Sequence, residues 1–381
     1  MDRERPKVLL NATTIVKGGG IQAVVSFICS LAETRAVDSL DWYLAVSGSV
    51  KEQLDGLDVA LSERDLVFEI SPAKSSGAGK KLLDYVIGND IGCVFTFFGP
   101  AYVRFPVTHI CGVADGWVTH SDWEAFSKIS SAIKKIRMFL LCCYKGVWFR
   151  KADAWFVEQE AAMAGLARRL RIDSHKVHVI GNNCGNHYAE FVGEPLLLEP
   201  KDRILVFASF YPNKNIESVP FVAKALVDSG RPDIEFVLTI DPQEAGFDRV
   251  LKTAQQLGVD SNINNIGAVD IADGPSLYRS CKILLMPSVL ETFSAVYPEA
   301  MMMGLPIVTA DKTFSRAICG NAASYYDSQQ PKSAAAEITK LLDDTGLYQD
   351  LVDKGKIRLT EFPDADRKFD LLHQMVEKYA R

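Results

Sequence analysis

The stretch Lys282–Asp311, KILLMPSVLETFSAVYPEAMMMGLPIVTAD, decides the fold. It opens with Ile283-Leu-Leu-Met286, an apolar run that reads as a strand buried on both faces. Ser288–Ser294 leaves that strand as a loop. Pro298 suits the first turn of a helix, because a proline needs no amide donor there. The helix continues through Glu299-Ala-Met-Met-Met and stops near Gly304-Leu-Pro306. Pro306-Ile-Val-Thr-Ala310 then returns as a second apolar strand. Strand, helix and strand in close succession form a βαβ unit, which implies a parallel sheet covered by helices.

The same rhythm extends in both directions. RILVFAS (203–209), IEFVLTI (234–240) and INNIGAV (263–269) precede the stretch, each followed by an amphipathic segment. The first half carries its own series: VLL (8–10), WYLAV (42–46), CVFTFF (93–98), THICGVA (108–114), AWFVEQ (154–159) and KVHVIGNN (176–183). The segment GEPLLLEPKD (193–202) has two prolines, a glycine and three acids, and reads as a linker. The expected fold is α/β: two doubly wound Rossmann-like domains, residues 1–195 and 196–360, facing a central cleft, with an amphipathic helix in the tail 361–381. Ligands of such sheets sit beyond the carboxyl ends of the strands, so the working residues should follow strands directly.

Composition narrows the function. The chain has 381 residues, enough for two cores, and a net charge of −6, so no dense basic face for nucleic acid is expected. The apolar run near the start, Val8-Leu9-Leu10, is too short for a signal-peptide core. No apolar stretch approaches the ~18 residues of a spanning helix. Eight cysteines form no Cys-x-x-Cys pair and read as reduced thiols, consistent with a cytoplasmic protein. Cys184 lies near His187, but two ligands do not make a metal site.

Several residues carry chemistry. Glu291 sits in the loop after a strand and Glu299 in the next helical turn. Free N–H groups at such a turn suit an anion such as diphosphate. Carboxylates beside it suit sugar hydroxyls; alternatively, Glu299 only complements the helix dipole. Lys214, in Ala208-Ser-Phe-Tyr-Pro-Asn-Lys-Asn215, follows a strand and can neutralise a diphosphate leaving group, or is an exposed turn lysine. Lys17-Gly-Gly-Gly20 lets backbone approach a phosphate, although it lacks the third glycine of the dinucleotide fingerprint. His109 lies inside an apolar run and suits a core; Asp115, Trp117 and His120 follow it. Residues 131–151 mix basic and large apolar side chains at helical spacing. They suit either an anionic membrane surface or inward packing with solvated lysines.

PSVLETFSAVYPEAMMMGLPIVTAD, with its two glutamates separated by seven residues, resembles the signature of the family-4 glycosyltransferases of GT-B fold. The likeness covers most of the chain, is strong over 203–330, and Tyr211-Pro-Asn-Lys-Asn215 matches a Tyr-Pro-x-Lys-Asn subset. It implies that Glu291 contacts the donor sugar's hydroxyls and Glu299 the nucleotide ribose. It implies that Thr292, Phe293, Ser294 and Ala295, with Gly19 and Gly20, face the donor, and that Lys214 meets the diphosphate. Ser209, also a donor-binding candidate, stands where the family has an arginine, and Arg316 is a candidate replacement. Ala114-Asp115 stands where a His-Asp pair is common, which makes Asp115 a catalytic candidate and places Trp117 and His120 on the acceptor side. The tail helix is implied to return to the N-terminal domain. The implied reaction moves a sugar, with retention, from a nucleotide diphosphate donor to a glycan or lipid-linked acceptor. Surface polysaccharide or lipopolysaccharide assembly is the implied setting, with no cofactor and no metal. A sugar-nucleotide epimerase or a nucleotide-sugar-binding pseudoenzyme is the alternative.

Overall fold

The structure is a computed structural model describing residues 5–34, 39–182, 186–194, 197 and 201–381. Packing divides the chain into two compact units. The first gathers Met1–His120, Ile136–Gly181 and Pro363–Arg381; the second gathers Ser121–Lys135 and Asn182–Phe362.

The first unit is built on a sheet of β1 (Lys7–Ala12), β2 (Asp41–Ser47), β3 (Leu66–Phe68), β4 (Cys93–Thr96), β5 (Thr108–Gly112), β6 (Ala154–Val157) and β7 (Val177–Val179). Its order is β3-β2-β1-β4-β5-β6-β7, with parallel pairing throughout. The strands are apolar because helices cover both faces, as parallel crossovers require. Helix Gly19–Thr34 buries Val24, Phe27, Ile28 and Leu31. Helix Ala365–Ala380 joins the same core through Phe369, Leu372, Met375 and Val376, with the Phe27 and Phe369 rings 5.0 Å apart. Each such side chain contributes about 1.5–3 kcal/mol when fully buried. The chain winds outward from β1 to β3 and returns to the other side of β1 with β4, so the winding reverses between β1 and β4.

The second unit repeats that logic with β8 (Arg203–Val206), β9 (Glu235–Leu238), β10 (Ile263–Asn265), β11 (Ile283–Met286), β12 (Ile307–Ala310) and β13 (Ala323–Tyr326). The order is β10-β9-β8-β11-β12-β13, again parallel, and the winding reverses between β8 and β11. β11, helix Val296–Met302 and β12 are the βαβ unit that Lys282–Asp311 predicts, with Pro298 at the third helical position.

The division differs from the expected boundaries 1–195, 196–360 and 361–381. It falls at Gly181/Asn182, upstream of the proline-rich segment, and Ser121–Lys135 goes with the second unit. For Ser121–Lys135 the reason is a half-buried anchor. Glu124, on helix Trp123–Ser127, accepts hydrogen bonds from Lys312 and from Ser328 (2.6 Å). Burial opposes its ionisation, yet these two donors hold its carboxyl below the usual range. Cys184 and half of the expected linker, including Pro195 and Pro200, lie outside the described residues. The seven described cysteines are free thiols.

Candidate functional site

The winding of the second sheet opens a place for a ligand between β8 and β11, because the chains leaving those two strands turn to opposite faces. The β8 loop ends in a short 3-10 turn, Pro212–Lys214, and Asn215 takes a left-handed φ of 53°. The β11 loop carries Glu291. The two loops are joined directly: Val289 N–H donates to the Asn213 carbonyl (2.8 Å), and Asn213 Nδ2 donates to the Leu290 carbonyl (2.8 Å). This lacing sets Lys214 Nζ 2.6 Å from Glu291 Oε1, with the side chains only 15% and 12% exposed. A lysine in a turn and a glutamate 77 positions later are thus one charged centre at the switch point.

The rest of the β11 loop is held from beneath. Phe293 is buried and meets Phe362 edge-on at 5.7 Å, which leaves its backbone at the loop. Tyr297 is fully buried, hydrogen-bonded to Thr309 (2.8 Å), and Thr309 donates in turn to the Met286 carbonyl (3.2 Å). Glu299 follows one turn into the helix. Tyr278 donates to its Oε2 at 2.8 Å. Burial raises the Glu299 carboxyl, while hydrogen bonds from Tyr278 and Tyr188 act in the opposite sense. Sequence reasoning missed both tyrosines. Their sequence neighbours, Asn186-His187 and Glu190 for one and Ser276 and Arg279-Ser280 for the other, are polar and give no local signal of a buried tyrosine.

The remaining candidates are distributed. Thr292, Ser294 and Ala295 lie on the same loop as Glu291, and Ser209 is exposed just beyond β8. Arg316 does not join Lys214: it is 55% exposed, chelates Asp311 (2.7 Å) and stacks on Tyr325 (4.1 Å). In the first unit, Gly18 takes a φ of +74° and Gly19 and Gly20 begin helix Gly19–Thr34, after the loop that leaves β1. A Cβ at Gly19 meets nothing within 4 Å, so packing does not demand glycine there.

Asp115 gives its carboxylate to the fold. Oδ1 caps helix Gly116–Thr119 by accepting from Val118 N–H (3.2 Å), and Oδ2 pairs with Lys145 at 2.6 Å. Trp117 and His120 lie on that helix and at its end; the Trp117 carbonyl accepts from Arg169 (3.1 Å), and His120 Nδ1 pairs with Thr119 Oγ1 (2.7 Å). His109 is a core residue. It is 2% exposed, its Nε2 meets Thr96 Oγ1 at 2.9 Å, and burial lowers its pKa to about 3. Among the described residues, no three of His, Cys, Asp or Glu gather as metal ligands.

Residues 190–358 match the family model described as glycosyl transferases group 1. The serotype-specific mannosyltransferase WbdA of Escherichia coli is 24% identical over 212 residues, covering 53% of this chain and 26% of its own length. A D-inositol 3-phosphate glycosyltransferase of Segniliparus rotundus is 26% identical over 149 residues, covering 38% of this chain and 33% of its own. The chain therefore spans about a quarter to a third of these curated relatives. Solved structures match from end to end. A glycosyltransferase from Rickettsia africae superposes with a TM-score of 0.74 at 14% identity, covering 100% of both chains. Anabaena HepE in complex with UDP-glucose gives 0.69 at 14% identity, covering 98% of this chain and 99% of that one. WaaG, a glycosyltransferase involved in lipopolysaccharide biosynthesis, gives 0.68 at 13% identity, covering 98% of each. With its two parallel Rossmann-like sheets the chain has the GT-B fold, and within it residues 190–358 match the glycosyl transferases group 1 model.

Proposed function

We propose that the protein is a glycosyltransferase that moves a sugar from a nucleotide diphosphate donor to a hydroxyl of a glycan or lipid-linked acceptor. The observation carrying this reading is the Lys214–Glu291 pair on two loops laced together at the switch point of the second sheet. Lys214 has three N–H donors and meets the diphosphate, where it stabilises the charge that develops on the leaving group. Glu291 accepts hydrogen bonds from the sugar's hydroxyls. Backbone N–H groups of Phe293, Ser294 and Ala295 complete the anion site. Glu299, already held by tyrosine hydroxyls, faces the nucleotide ribose.

The acceptor hydroxyl attacks from the face that the diphosphate leaves, so configuration is retained, and a donor phosphate oxygen takes the proton. Catalysis then rests on positioning and charge stabilisation rather than on a protein nucleophile. Lys214 and the amides carry the neutralisation, with no metal called for. The likeness to family 4 and its Tyr-Pro-x-Lys-Asn subset supports this reading, as do relatives named as mannosyltransferase and inositol phosphate glycosyltransferase. A place in surface polysaccharide or lipopolysaccharide assembly, on the cytoplasmic side, belongs to the same proposal.

The test is nucleotide release from a panel of nucleotide sugars, with and without candidate acceptors, UDP-glucose being the first probe. Acceptor-dependent release with a retained anomer in the product is expected. Donor binding without turnover under every acceptor would sink the transferase reading and leave a pseudoenzyme.

A further inference from the structure

Helix Ala132–Phe149 is unusual in what it leaves uncovered. Of its 18 residues only Gly146 and Phe149 are buried. Its seated side runs through Met138, Cys142, Lys145 and Phe149, spaced four, three and four apart, where Lys145 meets Asp115 and Phe149 enters a core with Val118 and Leu166. The opposite side should then be polar. Instead it presents Ile133 (80% exposed), Ile136 (61%), Phe139 (58%), Leu140 (60%), Tyr144 (50%) and Val147 (54%). At 3.6 residues per turn these six fall within an arc of about 140°. Six large apolar side chains on one outward face exceed the scattered exposure of an ordinary surface.

Charge says what covers this face. From Ala125 to Ala152 there is no Asp or Glu, while Lys128, Lys134, Lys135, Arg137, Lys145, Arg150 and Lys151 are all basic, in a chain of net charge −6. Of these, Lys145 is taken by Asp115. On the helix Arg137 borders one edge of the apolar arc and Lys135 the other, by the same angular count. A second copy of the chain docking by this face across a two-fold axis would set its basic border against an identical one, which repels. An apolar stripe with cationic edges fits the boundary of an anionic bilayer. There the stripe enters the headgroup–acyl region by about 5–10 Å and the cations meet lipid phosphates. No described helix is long and apolar enough to cross a membrane, so the contact is one of lying on the surface.

We propose that helix Ala132–Phe149 docks the protein on an anionic lipid surface. None of the six apolar residues belongs to the Lys214 or Glu291 loops, so the proposal stands or falls separately from sugar transfer.

The test is flotation of the whole protein with phosphatidylcholine vesicles containing about 30% phosphatidylglycerol, beside vesicles of phosphatidylcholine alone. Co-flotation with the anionic vesicles is expected, at least about tenfold above the neutral ones, and weakening between about 0.05 and 0.5 M salt as the cations are screened. Ile136→Glu with Leu140→Glu should lower the bound fraction about tenfold or more. Lys134→Gln, Lys135→Gln and Arg137→Gln together should remove the salt dependence while leaving the apolar stripe intact. Circular dichroism and the thermal midpoint confirm that each variant is folded. Absence of flotation by the wild-type chain overturns the proposal. So does undiminished flotation by the folded Ile136→Glu/Leu140→Glu variant, or a dimer in sedimentation that this variant dissolves.

Discussion

The two sheets share one strand order over six strands, the first adding β7 at its edge, with the winding reversing at β1/β4 in the first unit and at β8/β11 in the second, yet the residues at those points differ in kind. At β1/β4 a buried, neutral ladder crosses the strands. Asn11 Nδ2 donates to Thr96 Oγ1 (3.0 Å), Thr96 meets His109 (2.9 Å), and Thr13 donates to Asn11 Oδ1 (2.7 Å). The loop beyond β1 ends at Gly18, and Gly19 and Gly20 open the helix that follows. At β8/β11 stand a lysine and a glutamate in contact, backed by a second glutamate under tyrosine hydroxyls. Topology presents a loop cluster in each unit; the side chains decide which one carries charge chemistry. The first unit spends its polar groups on cross-strand order, and the second spends them at the ends of strands.

The largest effect should follow from breaking the charged centre. Lys214→Ala and Glu291→Ala should each lower turnover of the donor by about 10²–10³-fold, the scale of losing one preorganised charge-stabilising group. Initial rates with saturating donor measure this, with circular dichroism to show the fold intact. Wild-type rates in both variants would remove the contrast between the two switch points.

The neutral ladder predicts a pH effect on stability instead. In the unfolded chain a histidine takes a proton near pH 6.5, whereas burial holds His109 to about 3. Between those values the unfolded state binds more protons, so stability rises with pH there and falls on acidification below about 6.5, by up to about 1.4 kcal/mol per unit. Urea unfolding between pH 7 and 5 reads this slope, and His109→Asn should flatten it. An unchanged slope in that variant would move the acid sensitivity to another group.

Asp115 is a sequence candidate for chemistry whose carboxylate caps helix Gly116–Thr119 and pairs with Lys145. Asp115→Asn can still cap Val118 but loses the charge facing Lys145. About 1 kcal/mol of stability should go, with turnover within a few-fold of wild type. A loss of turnover near that of Glu291→Ala would return Asp115 to the reaction.

The smallest effect is Gly19→Ala. Its new Cβ meets nothing within 4 Å, so the thermal midpoint should stay within about 2 °C. A rise in donor KM without a change in stability would assign the glycine loop to ligand approach; no change in either would leave it a helix start.

How far the sequence could be read depends on the range of the interaction. β11, its loop, the next helix and β12 are legible because their signals are local: an apolar run, a proline in the first turn, a glycine at the end. β3 (Leu66–Phe68) escaped notice because three apolar residues among charged neighbours resemble any loop, and only pairing with β2 makes them a strand. Glu124 is invisible for a similar reason. Its partners Lys312 and Ser328 lie 188 and 204 positions away, so no window of sequence reveals that it ties Ser121–Lys135 to the second unit. The expected break at 193–202 followed composition, whereas the units divide where packing does.

By itself the sequence determined the two-sheet α/β plan, the loop containing Glu291 and the basic-apolar character of 131–151, since periodicity, turn chemistry and composition act over a few residues. Tertiary structure alone decided that Lys214 and Glu291 touch, that Glu299 lies under Tyr278, that Arg316 is occupied by Asp311, and that the apolar side of helix Ala132–Phe149 faces outward. Those are matters of distance and burial between residues remote in the chain, and they exist only once the sheets have brought the loops together.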